Sequence, residues 1–223
     1  GNQPVVVCDS MANHAPTIAS SDLVLLNPPY KRYEDDGDPL PDGFRESLDI
    51  AIEKLKGMPA TTTGGQADLY NFYVEFIIGA MSEGSRGVFV LNNKWMNTET
   101  TLPFRKLLVE ECQIDALIQY PRGEFFEEHL ITTGLLVFTK GKAATDQTCR
   151  FVRCLEDLRL IGAGDVIGAT FDGISTPRIQ VSSHPQSEIA AHTIDDSIGS
   201  WRTFFPRPSS LDSLAHFPKL ADL

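Results

Sequence analysis

The tetrapeptide Asn27-Pro28-Pro29-Tyr30 is the part of the sequence whose residue types could do chemistry. It directly follows the apolar stretch 22–26, and open α/β sheets bind ligands at the carboxyl ends of their strands. Asn27 offers a side-chain carbonyl oxygen, Pro28 offers a backbone carbonyl in a rigid loop, and Tyr30 offers a flat ring. Together they would accept both hydrogens of a planar amine and stack on its ring. A simple strand-ending turn is the alternative interpretation.

The elements that must position this tetrapeptide alternate along the chain. Continuous apolar runs are typical of strands buried on both faces, and apolar residues at 3.6-residue spacing are typical of helices. The alternation predicts an α/β fold with a mostly parallel sheet. Strands are predicted at 5–8, 22–26, 87–91, 114–119, 134–138 and 150–154, and helices at 44–56, 68–82 and 101–111. Because 134–138 follows 114–119 without room for a helix, these two strands are predicted to form an antiparallel hairpin at the sheet edge.

Composition changes after about residue 158, where Gly, Ser, Pro and His become frequent. We therefore predict a core over residues 1–157, followed by a linker and the start of another module over residues 158–223. The run Gly162 to Gly168 predicts a glycine-rich surface loop, and a displaced cofactor loop is the alternative. Both ends of the sequence suggest a piece of a longer protein.

The overall charge limits the class of protein. The 223 residues carry 30 acidic and 19 basic side chains, a formal net charge of -11. This balance argues against a basic protein that coats nucleic acid and against a disordered acidic tail. It leaves room for an enzyme that reaches nucleic acid through a local groove. The apolar runs are too short to span a bilayer, so no membrane partner is predicted.

The cysteines and histidines indicate neither a metal nor a covalent intermediate. Cys8, Cys112, Cys149 and Cys154 form no Cys-x-x-Cys pair, and the histidines are scattered. Reduced, buried thiols in a cytoplasmic protein are predicted, with a Cys149–Cys154 disulfide as the alternative.

The tetrapeptide in this context resembles motif IV of the S-adenosylmethionine-dependent N6-adenine DNA methyltransferases, of the restriction–modification and phage-defence type. The resemblance implies a partial Rossmann-like class I methyltransferase sheet. It also implies that residues 27–30 are catalytic, and that Asn27 borders the cofactor as well. The strand before Asp9 resembles the one whose terminal acid contacts the cofactor, with Ser10 beside it. Asp68, opening its helix, resembles motif V behind the methyl-donor pocket.

Two further segments extend the resemblance. Phe125 and Phe126 resemble motif VIII, where an aromatic ring stacks on the flipped base; Phe126 is the first choice and Phe125 the fallback. The segment ending in Lys94 and Trp95 resembles the loop after the next strand. Lys94, with Lys31 and Arg32, is a candidate for substrate or phosphate contact, and ordinary solvated charge is the alternative for each.

The sequence departs from the family pattern at the start, because no glycine-rich cofactor loop precedes the first strand. The resemblance implies that a recognition domain, through which the family binds DNA, is also largely missing. A sheet without its first strands would expose an edge, so a dimer or a partner chain covering that edge is expected. A protein-glutamine methyltransferase, an RNA-adenine methyltransferase and a non-catalytic scaffold domain remain alternative functions, and the fragment alone is expected to be weak or inactive.

Overall fold

The structure is a computed structural model that describes residues 13–30, 43–62, 68–121, 133–156, 160–195 and 199–207. Its six-stranded sheet has the order β1-β2-β4-β3-β5-β6. Four strands run in one direction, whereas β4 and β6 run against their neighbours. The predicted α/β fold class is confirmed. The strands are β1 (Leu23–Leu26), β2 (Arg86–Asn92), β3 (Cys112–Gln119), β4 (Thr133–Lys140), β5 (Thr148–Cys154) and β6 (Ile179–Pro185).

Three of the six described α-helices fall close to the three predicted ranges, and the other three were not predicted. The six helices are α1 (residues 13–19 of the described part), α2 (Phe44–Lys56), α3 (Leu69–Ala80), α4 (Leu102–Glu111), α5 (Ala163–Ile167) and α6 (Gln186–Asp195). In α2, Phe44, Leu48 and Ile52 recur at a spacing of four and form its buried stripe. The helix ends at Gly57, whose φ of 70° is the left-handed conformation that glycine adopts readily.

Three apolar clusters hold the layers together. The largest lies between one face of the sheet and α3, α4 and α6, and includes Phe89, Phe138 and Trp201. The second packs α2 against the outer side of α3. The third covers the opposite face of β3 and β5 with residues such as Ile161 and Ala169. The central strands are therefore buried on both faces, which explains their continuous apolar sequence.

The hairpin prediction is right in direction and wrong in position. Strands β3 and β4 are antiparallel, as predicted, but β4 lies between β2 and β3 in the interior of the sheet. The sheet continues beyond β3 because β5 pairs with it in parallel and β6 then pairs with β5. The antiparallel member at that edge is β6, a strand that was not predicted from the sequence.

Residues 160–207 also differ from the predicted linker wherever they are described. Strand β6 belongs to the main sheet, α6 packs on it, and Trp201 is fully buried in the largest cluster. The run Gly162 to Gly168 is a short helix rather than a surface loop. The residues after 207 lie outside the described part, so the start of another module there stays a prediction.

The remaining expectations concern the edge strand and the cysteines. Among the described residues β1 pairs only with β2, and Leu23 and Leu25 are 54% and 72% exposed. The predicted strand 5–8 lies outside the described residues. Cys112, Cys149 and Cys154 are buried thiols, so the alternative of a Cys149–Cys154 disulfide is wrong, and Cys8 lies outside the described residues. None of the described helices has both the length and the apolar character needed to cross a bilayer.

Candidate active site

The Asn-Pro-Pro-Tyr loop, residues 27–30, lies at the carboxyl edge of the sheet. It follows β1 directly, and β1 is parallel to β2, so the carboxyl ends of both strands meet at this edge. Asn27 and Pro29 are exposed, Pro28 is buried and Tyr30 is half-buried. The loop therefore presents the Asn27 amide to solvent while Pro28 and Tyr30 anchor it.

Tyr30 connects this loop to β2. Its hydroxyl oxygen lies 2.7 Å from the carbonyl oxygen of Val90 and 2.9 Å from Oδ1 of Asn27. Burial raises the pKa of Tyr30 to about 12, so the phenol keeps its proton at neutral pH. The hydroxyl thus fixes the spacing between the loop and the neighbouring strand.

An aromatic wall continues from Tyr30 into the core. The ring of Tyr30 lies 6.4 Å from that of Tyr70, and Tyr70 lies 6.2 Å from Phe104 in an edge-to-face arrangement. Tyr70 is fully buried, and burial, together with the charge of nearby Asp68, raises its pKa. Asp68 directly precedes α3, two positions before Tyr70, whose ring lies against that of Tyr30.

A short helical turn after β2 presents Lys94 at the same edge. The side chain of Asn92 caps this turn by accepting a hydrogen bond from the Lys94 N–H at 3.0 Å. Trp95 is buried between Phe104 and Trp201, with ring centroids 5.3 Å from each. The buried Trp95 fixes the turn, while the Lys94 side chain remains exposed.

Arg105, which was not predicted as a site residue, holds the segment after that turn. Its guanidinium is fully buried, and the two protons of Nη1 are shared among three acceptors, the carbonyl oxygens of Trp95 and Thr98 and the Thr101 hydroxyl. An arginine inside an apolar helix stripe gives no local sign of such a role. The guanidinium thereby reinforces carbonyls that also accept hydrogen bonds from Thr101, and it ties α4 to the segment after the turn.

Glu75 also lies in a largely apolar helix, so its neighbours in the sequence give no sign of its role. Its buried carboxylate accepts hydrogen bonds from the backbone N–H and hydroxyl groups of both Thr61 and Thr62, and from Lys56 Nζ. Burial alone would raise the pKa of Glu75, but the bonds from Thr62, Lys56 and Thr61 outweigh it and hold the pKa below its ordinary value. Glu75 thereby ties the segment after α2 to the helix that Asp68 opens.

The predicted site residues divide into two groups. The structure places Asn27, Pro28, Pro29, Tyr30, Asp68 and Lys94 along one edge of the sheet. Asp9, Ser10, Phe125 and Phe126, as well as Lys31 and Arg32, lie outside the described residues. The chemical role of each residue in both groups stays a prediction.

The chain resembles components of restriction–modification systems. The Type I restriction enzyme EcoEI methylase subunit of Escherichia coli is 31% identical over 123 residues, which cover 54% of this chain and 21% of that protein. The type IIG restriction endonuclease BpuSI superposes with a TM-score of 0.68 at 16% identity, covering 86% of this chain and 22% of that one. The methyltransferase subunit of a type I restriction-modification system from Streptococcus thermophilus gives a TM-score of 0.57 at 17% identity, covering 84% of this chain and 39% of that subunit.

These likenesses differ in what they show. At such identities the two solved structures show a shared fold, and this chain spans only about a fifth of the EcoEI subunit and of BpuSI. The family comparison is broader, because the model described as N-6 DNA Methylase matches residues 2–160. The match covers more than half of the sequence and includes the Asn-Pro-Pro-Tyr loop, and the chain therefore belongs to the N-6 DNA methylase family.

Proposed function

We propose that this chain forms the target-amine side of an active site that methylates the N6 amino group of adenine in DNA. One observation carries the proposal: a member of the N-6 DNA methylase family has the Asn-Pro-Pro-Tyr loop at the carboxyl edge of β1, with the Asn27 amide exposed. Ligands of open α/β sheets bind at this edge.

The chemistry assigned to the loop follows from its residue types. The lone pair of an aromatic amine is delocalised into the ring, so the nitrogen is a poor nucleophile. Hydrogen bonds from both N–H groups to the Asn27 side-chain oxygen and the Pro28 carbonyl favour a tetrahedral nitrogen with a localised lone pair. The rigid prolines hold these acceptors in place before the substrate arrives.

Reaching N6 in a duplex requires the adenine to leave the stack. Flipping costs a few kcal/mol of unstacking, which aromatic side chains in the pocket offset. Tyr30 would contribute one ring, since it is half-buried and its ring packs beside Tyr70. Phe126, or Phe125 in its place, would contact the other face of the base.

S-adenosylmethionine is the methyl donor that this proposal requires, and when bound it supplies a methyl group on a sulfonium sulfur. The residues present fit its polar parts. The Asp68 carboxylate accepts hydrogen bonds only, as the cofactor's ammonium or hydroxyl groups require, and it precedes the N-terminus of α3. Asp9 and Ser10 would hold the adenosine end, and Asn27 would border the methyl group.

The net charge of the chain is negative and would repel DNA, so contact with DNA would depend on a few exposed cationic side chains. Lys94 is exposed at the carboxyl edge, and Lys31 and Arg32 follow the Asn-Pro-Pro-Tyr loop directly. Such contacts position the phosphate backbone without reading its sequence. Target recognition would depend on a separate module that begins after residue 207 or is supplied by a partner.

The proposal is tested by methyl transfer to an adenine-containing duplex, measured on the complete gene product that contains this chain. Asn27→Ala should reduce methylation to background because one of two acceptors for the amine is lost. Asn13→Ala, an exposed asparagine on α1, is the matched control and should retain full activity. Methylation of adenine by Asn27→Ala at the original rate would exclude the proposed site.

Cofactor binding is tested separately by calorimetric titration with S-adenosylmethionine. Asp68→Ala should weaken binding by about tenfold or more, the loss of a charge-assisted hydrogen bond. Glu110→Ala, an exposed acid on α4, should bind as the original protein does. Equal affinity in all three proteins would remove Asp68 from the cofactor site. Asp9→Ala tests the adenosine end in the same way.

A further inference from the structure

The Tyr30 hydroxyl faces two oxygen atoms but carries one proton. The Val90 carbonyl oxygen lies 2.7 Å from Oη, and Asn27 Oδ1 lies 2.9 Å from it. Both oxygens only accept hydrogen bonds, and a phenol donates one. With the Asn27 amide in this orientation, one of the two short contacts lacks a proton and brings two lone pairs together.

Rotating the Asn27 amide by 180° about its Cβ–Cγ bond resolves the conflict. The rotation exchanges Oδ1 and Nδ2 and leaves the rest of the loop in place. Tyr30 then donates to the Val90 carbonyl, which is the shorter contact, and accepts a hydrogen bond from Asn27 Nδ2. Each of the two short contacts of the Tyr30 hydroxyl then joins one donor to one acceptor.

This orientation determines which atom of Asn27 faces outward. A side-chain amide has its oxygen and nitrogen on opposite sides, so an Nδ2 that contacts Tyr30 turns Oδ1 away from Tyr30, and Asn27 as a residue is exposed. The Val90 carbonyl is part of β2, which is paired on both sides, and it is therefore a fixed reference point. Burial holds Tyr30 in its protonated form, which the donor role requires.

We infer that Tyr30 is a positioning residue whose hydroxyl, held by the Val90 carbonyl, orients the Asn27 amide so that Oδ1 faces the target amine. The inference rests on the proposed function and adds a second role for Tyr30 besides stacking. The opposite orientation would direct Nδ2 at the amine, where two donors would meet. The hydroxyl thus selects the amide orientation that can accept a hydrogen bond from the substrate.

A direct test uses the side-chain amide resonances of the 223-residue chain without cofactor or DNA. The Asn27 signal is identified by its absence in Asn27→Ala. In the original protein its Nδ2 protons should show the shift and slow exchange of a hydrogen-bonded amide, and in Tyr30→Phe the signal should move to the position of a free asparagine. Tyr73→Phe, a half-buried tyrosine on α3, is the matched control and should leave the signal unchanged. An Asn27 signal unaffected by Tyr30→Phe would overturn the inference.

A kinetic test separates orientation from stacking. Tyr30→Phe keeps the ring, so fluorescence of 2-aminopurine at the target position and KM for DNA should be unchanged, while kcat should fall about tenfold. A raised KM with unchanged kcat would overturn the orientation role. Thermal unfolding of Tyr30→Phe checks the fold, and Tyr30→Leu should additionally lose the fluorescence signal. If the original protein methylates no adenine, the proposed function fails, and the amide resonances still decide the orientation.

Discussion

The side chain of Gln186 pairs with the backbone of Ile114 as a neighbouring strand would. Its Oε1 accepts from the Ile114 N–H at 2.8 Å, and its Nε2 donates to the Cys112 carbonyl at 2.7 Å. Gln186 is buried, and β3 has an irregular register with β4 next to Ile114. One side chain from α6 therefore completes the hydrogen bonding at the start of a central strand.

Replacing this amide should destabilise the whole domain. Gln186→Met keeps the length of the side chain but leaves the Ile114 N–H buried without its partner, which costs about 2 kcal/mol. Urea unfolding of the chain measures the loss. Glu188→Gln, an exposed change on the same helix, is the control and should alter the free energy of unfolding by less than about 0.5 kcal/mol. Equal stability of Gln186→Met and the original chain would contradict the structural role of α6.

Breaking the buried ion pair of Glu75 and Lys56 should lower the free energy of unfolding more than replacing Gln186 does. Glu75 Oε1 lies 2.9 Å from Lys56 Nζ, with side-chain exposures of 0% and 7%. Glu75→Gln removes the negative charge and leaves the ammonium buried, with Glu111 as its remaining anionic partner among the described residues, so we expect a loss of about 3 kcal/mol. Glu53→Gln on the exposed face of α2 is the control. A loss no larger than that of the control would show that solvent screens the pair.

Glu75 also predicts a pH dependence of stability. Its pKa in the folded protein is below the unfolded value of about 4.3, so the stabilisation is fully present above that value. The contribution is lost as the pH falls through the lower, folded pKa. The difference in unfolding free energy between the original chain and Glu75→Gln should be constant from about pH 5 to 7 and shrink below about pH 4. A difference that stays constant down to pH 3 would contradict the lowered pKa.

Two glycines should respond to alanine in opposite directions. A Cβ on Gly134 would lie 2.5 Å from the Ile118 carbonyl oxygen and 2.9 Å from Asn93 Oδ1, and the strand backbone has no room to move. Gly134→Ala should therefore destabilise the chain by about 2 kcal/mol. A Cβ on Gly164 meets nothing within 4 Å, and this exposed helical position should gain about 0.5 kcal/mol from Gly164→Ala. Thermal unfolding of both variants measures these changes. A Gly134→Ala variant that is more stable than the original chain would contradict the close packing of β4 against Ile118 and Asn93.

The sequence alone determined the elements whose signals are local. The apolar stripe Phe44, Leu48 and Ile52 predicted α2 with both of its ends, and the continuous apolar runs predicted β1 to β5 within a few residues. The Asn-Pro-Pro-Tyr loop was identified because its residue types are unusual and because it follows a strand. These features depend on periodicity and turn chemistry, which neighbouring residues specify among themselves.

The tertiary structure decided what depends on distant partners. Strand β6 was missed because it is an edge strand in which only Ile179 is buried, so its sequence lacks an apolar run. The roles of Glu75, Arg105 and Gln186 come from groups that lie far from them in sequence or in another element. The bond between Tyr30 and Val90 spans 60 positions and exists only because β1 and β2 pair in parallel. Buried polar groups need partners wherever the fold supplies them, and the chain's local pattern does not record which partner that is.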